Sequence, residues 1–150
     1  MKYIFPKQIT NIYTGHPIAL YAFYLITGIT IFRSLIHIIA PDGGAQSIAT
    51  IPLDTYSIES ANTVVFMFGL WGISQLLLGI LFLIIAVRYK ALIPLMYLFI
   101  FIEYSLRLIL GFFKPITLAG IAPGGIGNYV FIILSIILFF LSIQNPKTTI

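Results

Sequence analysis

Four long apolar stretches, separated by shorter polar segments, dominate the hydropathy pattern of the 150-residue chain. A helix needs about 20 apolar residues to cross the roughly 30 Å hydrocarbon core of a bilayer. Lipid offers no hydrogen-bond partners, so the backbone of each crossing segment has to be helical. The pattern therefore predicts an all-α, polytopic membrane protein, a single four-transmembrane-helix bundle over residues 1–150, with spans at 17–40, 61–87, 91–113 and 127–143.

The composition excludes an ordinary soluble domain. Hydrophobic residues make up 60% of the chain, charged residues only 8%, and the mean hydropathy is +1.09. The first span is too long for the core of a signal peptide, so we expect it to be retained. The net charge of +4 is explained by anchoring at the cytoplasmic face and predicts no nucleic-acid partner. The absence of cysteine excludes disulfides and cysteine-ligated metals.

Positive and negative residues lie on opposite sides of the predicted spans. Segment 41–60, between the first two spans, contains three acidic residues and no lysine or arginine. The positive residues precede the first span, fill the turn between spans two and three, or follow the last span: Lys2, Lys7, Arg88, Lys90 and Lys147. Lys114, at the opposite end of span three, is the exception. The positive-inside rule then predicts a multi-pass protein of the cell membrane with cytoplasmic N and C termini.

Three charged residues fall well inside the predicted spans. The stretch FIEYSLRLILGFFKP (101–115) contains Glu103 and Arg107, and the first span contains Arg33. At a rise of about 1.5 Å per residue, Glu103 lies about 18 Å into its span and both arginines about 24 Å into theirs. A charge that faces lipid near a helix centre costs roughly 2.5–3.5 kcal/mol. We therefore expect all three side chains to face the inside of the bundle.

The spacing pairs only two of these charges. Glu103 and Arg107 are four residues apart, so the carboxylate can reach the guanidinium on the same helix. Arg33 shares a helical stripe with Thr30 and His37 and has no carboxylate in its own span. One positive charge is therefore left over. Its counterion is either a bound ligand or an acidic residue of the first loop: Asp42, Asp54 or Glu59.

The predicted ligand-binding site is a polar cluster near the outer leaflet. Its members are Arg33, His37, Glu103 and Arg107, with Gln75 and Tyr104 as further candidates. Guanidinium groups suit a phosphate, a carboxylate or the carbonyl oxygens of a quinone. The first functional hypothesis is that the protein binds or moves an amphipathic anion, a lipid headgroup or a quinone at this cluster. The alternative for the same residues is a buried Arg-Glu-Arg network that fixes the helix register.

Small residues recur along one side of the second span. Gly69, Gly72 and Gly79 surround Gln75 at close to helical spacing, a pattern typical of close helix packing. This surface supports a second functional hypothesis, a non-catalytic accessory or structural subunit of a larger membrane complex. The small size of the bundle favours a homo-oligomer or association with other membrane subunits, besides the lipid bilayer itself.

Metal, cofactor and enzymatic chemistry are not predicted. The two histidines, His16 and His37, lie about 31 Å apart along one helix, too far to share a metal or a haem. No metalloprotease, phosphate-loop or dinucleotide motif occurs in the sequence. A single carboxylate with an arginine four residues away does not suit a general acid, which has to carry a proton near neutral pH. An enzyme is therefore the weakest of the three hypotheses.

The ends of the spans carry local signals. Pro17 suits the first position of a helix, and Asp54 and Ser57 are candidate caps for the second span. Segment 115–127, PITLAGIAPGGIG, is predicted to be a connector whose glycines form turns. A lid over the mouth of the bundle is the alternative interpretation of the same segment.

The chain also reads as two copies of one hairpin. Aligning Pro41 with Pro115 superimposes Arg33 on Arg107. Such a repeat would be parallel, with its axis along the membrane normal. Chance similarity between two hairpins rich in isoleucine and leucine is an equally good interpretation.

The run RYKALIPLMYLFIFIEYSLRLILGFFKP (88–115) resembles small bacterial membrane proteins of four spans, loosely of the DoxX-like kind. The shared pattern is a Glu-x-x-x-Arg pair followed by Gly and Lys-Pro. This resemblance implies a four-helix bundle in a bacterial cytoplasmic membrane. It implies no particular activity and no catalytic residue.

Overall fold

The protein folds as four long α-helices in the computed structural model, which describes residues 4–6 and 8–144. The helices are α1 (Pro17–Ile39), α2 (Ile58–Arg88), α3 (Ile93–Phe113) and α4 (Pro123–Ile143). Short 3-10 turns at Leu53–Thr55 and Lys90–Leu92 precede α2 and α3, and the described residues contain no strand. All four helices are long and apolar enough to cross a membrane. The predicted all-α, four-helix architecture is therefore confirmed.

The helix starts explain where the predicted spans were wrong. Pro17 occupies the first turn of α1, as expected, and His16 Nδ1 accepts a hydrogen bond from the Ile18 N–H at 3.3 Å. Ser57 caps α2, its hydroxyl accepting from the Ser60 N–H at 3.3 Å, so α2 begins three residues before the predicted position 61.

The three lysines at positions 2, 7 and 147, used to orient the spans, lie outside the described residues.

The last helix differs most from its predicted span. α4 begins at Pro123, four residues before position 127, because proline fits the first turn of a helix. Gly124, Gly125 and Gly127 are therefore helical, so the prediction that the glycines of 115–127 form turns was wrong for these three, whereas Gly120 lies at a bend of the connector. Only 114–122 connects α3 to α4.

The bundle consists of two hairpins, α1 with α2 and α3 with α4. Contacts between the hairpins are fewer: α1 approaches α4 at several positions, and α2 approaches α3 at only a few. Gly72 and Gly79 set the separation of α1 from α2: a Cβ at Gly72 would lie 2.8 Å from the His37 Cβ, and one at Gly79 would lie 2.8 Å from Ile31 Cγ1. Gly69 has no such neighbour closer than 4.0 Å. Two of the three predicted packing glycines are therefore close-contact positions.

An apolar core fills the end of the bundle that carries the Tyr89–Leu92 turn, called here the turn end. Phe23, Phe82 and Tyr97 are almost completely buried, with ring centroids 5.5–5.8 Å apart. The Tyr97 hydroxyl donates to the Ala19 carbonyl oxygen at 2.5 Å, which satisfies the one polar atom of this aromatic group. Side-chain packing thus joins α1, α2 and α3 at the turn end.

The opposite end, called here the loop end, is covered by the segment between α1 and α2. Ala45, Ile51 and Leu53 are buried there against the start of α2. Thr50 adopts a φ of +58°, a strained conformation for a β-branched residue. Its carbonyl accepts from the Ala119 N–H at 2.8 Å, and its hydroxyl donates to the Gly120 carbonyl at 3.0 Å. These bonds join the two loops, so 114–122 is attached to the first loop.

Candidate functional site

The side-chain amide of Gln75 joins three helices in the middle of the bundle. Gln75 Oε1 accepts from Arg33 Nη2 of α1 at 2.8 Å. Gln75 Nε2 donates to Glu103 Oε1 of α3 at 2.9 Å. Gln75 itself is buried on α2, and α2 and α3 make few direct contacts along their length. The polar network therefore adds hydrogen bonds between the two hairpins.

The predicted ion pair on α3 is present. Arg107 Nη2 donates to Glu103 Oε1 across one helical turn, with the two side chains 21% and 25% exposed. Arg33 Nη1 donates to the Tyr104 hydroxyl at 3.3 Å. Tyr104 in turn stacks on Phe131 of α4, with centroids 4.6 Å apart and the rings 13° from parallel. All four helices thus contribute to one cluster, which brings together the six predicted ligand-binding residues.

Trp71 lies at the centre of the charged groups, a position that the sequence interpretation missed. The guanidinium carbons of Arg107 and Arg33 lie 4.9 Å and 5.6 Å from the indole centroid. The His37 ring packs on the same indole, with centroids 4.5 Å apart. Trp71 precedes Gln75 by one turn of α2, so the two share a face. The four-residue spacing from Gln75 could have placed Trp71 at the cluster, because an aromatic ring next to arginines offers cation–π contacts.

His37 is tied to the first loop through one ring nitrogen. His37 Nδ1 lies 2.7 Å from the Gly43 carbonyl oxygen, and a carbonyl can only accept, so Nδ1 carries the proton. The other nitrogen, Nε2, is buried and has no partner among the described residues. Arg33 Nε is buried and unpartnered in the same way. Buried polar atoms without partners are rare and call for an explanation.

The cluster carries a surplus positive charge. Two guanidinium groups, of Arg33 and Arg107, face one carboxylate, of Glu103, which leaves a net charge of +1. The Glu103–Arg107 pair is the only ion pair among the described residues. Of the three acidic residues proposed as counterions, none reaches Arg33.

Asp42 instead organises the first loop. Its carboxylate accepts from the backbone N–H groups of Gly44, Gln46 and Ser47 at 2.9, 3.1 and 2.7 Å. Burial raises the pKa of Asp42, but these hydrogen bonds outweigh it and lower the pKa to about 2. Asp54 and Glu59 are exposed. The acidic loop therefore does not neutralise Arg33.

The site offers hydrogen-bond donors and positive charge. Among the described residues, no group of three or more His, Asp or Glu side chains lies close enough to hold a metal ion. His16 caps the start of α1 at the turn end, far from the cluster. The chemistry that the cluster supports is recognition of an anion or of a neutral oxygen acceptor.

No family model, curated protein or solved structure matches the chain. The resemblance of 88–115 to four-span bacterial membrane proteins therefore stays a prediction.

Proposed function

We propose that this protein spans a membrane and binds an amphipathic anion at the cluster formed by Arg33, Trp71, Gln75, Glu103 and Arg107. The observation that carries the proposal is the uncompensated guanidinium, since two arginines share one carboxylate between apolar helices. A charge in an apolar bundle is costly unless it is paired. An anionic headgroup would supply the missing charge.

The charge favours an anion over a quinone. Quinone carbonyls can accept hydrogen bonds from guanidinium groups, but they are neutral and leave the surplus charge in place. A phosphate or carboxylate both accepts the hydrogen bonds and cancels the charge. We therefore rank an anionic lipid above a quinone.

The arrangement of the hairpins favours a ligand with a long apolar tail. α2 and α3 make few direct contacts, and Glu103 and Arg107 remain partly exposed between them. A headgroup at the cluster could therefore leave its acyl chains along the apolar helix surfaces.

We propose the orientation given by the positive-inside rule. Arg88 and Lys90 lie at the turn end, and Asp42, Asp54 and Glu59 lie at the loop end. The turn end then faces the cytoplasm of a bacterial cell and the anion comes from the outer leaflet. Lys114 is the one basic residue at the loop end among those described, and its long side chain can reach the headgroup region.

The alternative function, an accessory subunit, loses part of its support. Its predicted docking surfaces were the glycine seam of α2 and the apolar exterior of the bundle. α1 of the same chain covers Gly72 and Gly79, whereas the apolar exterior stays exposed. The two glycines therefore serve the packing of α1 against α2 within one chain and are not free to bind another subunit.

The test is the anionic lipid retained by the purified protein, measured by native mass spectrometry in a mild detergent. We expect Arg33→Ala to lower the affinity by about tenfold or more, since a hydrogen bond to a charged group contributes about 1.5–3 kcal/mol. Glu103→Gln should have the opposite effect, because it raises the net charge of the cluster from +1 to +2. Arg88→Ala is the charge-matched control: Arg88 is exposed at the end of α2, remote from the cluster.

Two results would contradict the proposal. One is the same lipid occupancy in the wild type, Arg33→Ala and Arg88→Ala. The other is the purification of stoichiometric partner subunits with no lipid, unchanged in Arg33→Ala. The second result would make the charges internal scaffolding and the protein a structural subunit.

A further inference from the structure

Two buried polar atoms one turn apart on α1 have no hydrogen-bond partner in the described part of the chain. They are Arg33 Nε and His37 Nε2. Arg33 Nε is always a donor. His37 Nδ1 donates to the Gly43 carbonyl, so in the neutral ring Nε2 is an acceptor. The pair therefore requires a group that accepts at Arg33 and donates at His37.

Resting on the anion site proposed above, we infer that the ligand is an anionic lipid whose headgroup carries a hydroxyl beyond its phosphate. The phosphate accepts from Arg33 Nε, and the hydroxyl donates to His37 Nε2. A simple carboxylate or an alkyl phosphodiester without a hydroxyl satisfies only the first atom.

The order of the two residues along α1 fits this ligand. His37 lies one turn closer to the loop end than Arg33, and side chains four residues apart have Cβ atoms about 5–6 Å apart. In a lipid, the headgroup hydroxyl lies further from the acyl chains than the phosphate. A lipid of the leaflet at the loop end thus presents its phosphate to Arg33 and its hydroxyl to His37.

Trp71 packs against both residues that carry these atoms. Neither atom is in contact with solvent, and the indole centroid lies 5.6 Å from the Arg33 guanidinium carbon and 4.5 Å from the His37 ring centroid. A headgroup that binds the two atoms therefore changes the surroundings of the indole. Trp71 is the only tryptophan of the chain, so its fluorescence reports binding directly.

The experiment titrates the full-length protein in detergent with two lipids of identical acyl chains, phosphatidylglycerol and phosphatidylmethanol. Both are phosphodiesters with one negative charge, and they differ in the hydroxyls of the headgroup. We expect phosphatidylglycerol to bind at least about fivefold more tightly, because phosphatidylmethanol leaves the buried His37 Nε2 unpaired. Trp71 fluorescence and the lipid adducts in native mass spectra give two independent readouts.

His37→Phe is the matched variant, since it keeps an aromatic ring against Trp71 and removes the acceptor. We expect it to abolish the difference between the two lipids and to leave the affinity for phosphatidylmethanol within about twofold. The comparison in the wild-type protein remains decisive if this variant does not fold. Free glycerophosphoglycerol, the deacylated form of phosphatidylglycerol, keeps the phosphodiester with its single charge and the headgroup hydroxyls and has no acyl chains, so it tests whether a lipid is required.

The outcomes separate this inference from the proposal on which it rests. Equal affinities of the wild type for both lipids, as expected if a water molecule bridges Arg33 and His37, would overturn the inference and keep the anion site. Binding of neither lipid would overturn both. Binding of glycerophosphoglycerol as tightly as phosphatidylglycerol would show that the hydroxyl-bearing anion is soluble, against the lipid we infer.

Discussion

The two ends of this bundle use the same four helices for different chemistry. At the turn end, Phe23, Phe82 and Tyr97 fill the space between helices, and a single hydrogen bond satisfies the Tyr97 hydroxyl. Toward the loop end, two arginines and a histidine pack around one tryptophan, and a glutamine joins one of the arginines to a glutamate. One end is an apolar core, and the other is a polar network with a net positive charge.

The two ends differ in how their helices are held together and in how completely their polar groups are paired. Transmembrane helices associate through close packing and interhelical hydrogen bonds, since lipid is as apolar as the side chains. The turn end has the tightest packing of large side chains. The loop end has the hydrogen bonds, yet it leaves Arg33 Nε and His37 Nε2 unpaired and one charge uncompensated. These unpaired groups are what supports the anion site proposed above.

The largest expected effect comes from a cavity at the turn end. Phe23→Ala removes a ring that is completely buried between Phe82 and Tyr97. We expect a loss of about 3–5 kcal/mol in the free energy of unfolding, measured by titrating the detergent-solubilised protein with a denaturing detergent. The lipid affinity of the molecules that remain folded should not change, because Phe23 does not contact the cluster.

Phe32→Ala is the control on the same helix. Phe32 is 68% exposed on the outside of the bundle, so its removal leaves no internal cavity. We expect a change below about 0.5 kcal/mol. Equal destabilisation by the two variants would mean that the aromatic group at the turn end contributes no special stability.

A smaller effect is expected where α1 and α2 approach each other beside the cluster. In Gly72→Ala the new Cβ would lie 2.8 Å from the His37 Cβ and 3.1 Å from the Ser34 carbonyl oxygen. We expect a loss of about 1–3 kcal/mol from overpacking, measured by the same titration. Because His37 has to shift, the preference for phosphatidylglycerol should also weaken.

Gly111→Ala provides the matched comparison in α3. A Cβ at Gly111 has no neighbour within 4 Å, and alanine favours a helix over glycine by up to about 1 kcal/mol. We expect the variant to be as stable as the wild type or slightly more so. Destabilisation of Gly111→Ala equal to that of Gly72→Ala would show that the contact with His37 is not the cause.

Much of the fold follows from the sequence for simple physical reasons. Four apolar stretches of bilayer length can only be helices in lipid, and Pro17 marks the start of α1. The start of α4 was missed because its first turn, Pro123 to Gly127, consists largely of glycine and proline, residues that usually signal a loop. Proline is tolerated there because the first turn needs no N–H donor from it.

The charged residues of the candidate site were predictable from the sequence, but their hydrogen-bond partners on other helices and the position of Trp71 were not. Charges inside an apolar span have to face inward, and this argument alone selected Arg33, Glu103 and Arg107. Spacing along one helix predicted the ion pair on α3. No pattern within one helix shows that Gln75 bridges Arg33 and Glu103, because this depends on how three helices are rotated against one another. The central position of Trp71 depends on the same rotations.

The smallest expected effect concerns the first loop at acidic pH. Hydrogen bonds from three backbone N–H groups lower the pKa of Asp42 to about 2, below its ordinary value of 3.8. The carboxylate is therefore stabilised in the folded loop, and its contribution is complete above about pH 4 and is lost as the pH falls through about 2. We expect the amides of Gly44, Gln46 and Ser47 to lose protection from hydrogen exchange in this range, before the core at the turn end does. The buried apolar cluster of the turn end contains no carboxylate, so acid has no carboxylate to protonate there.

Asp42→Asn should remove the pH dependence, with exchange of the three amides already fast at neutral pH. Simultaneous loss of protection at both ends would mean that the loop and the core unfold as one cooperative unit, against the division of the bundle into two chemically distinct ends.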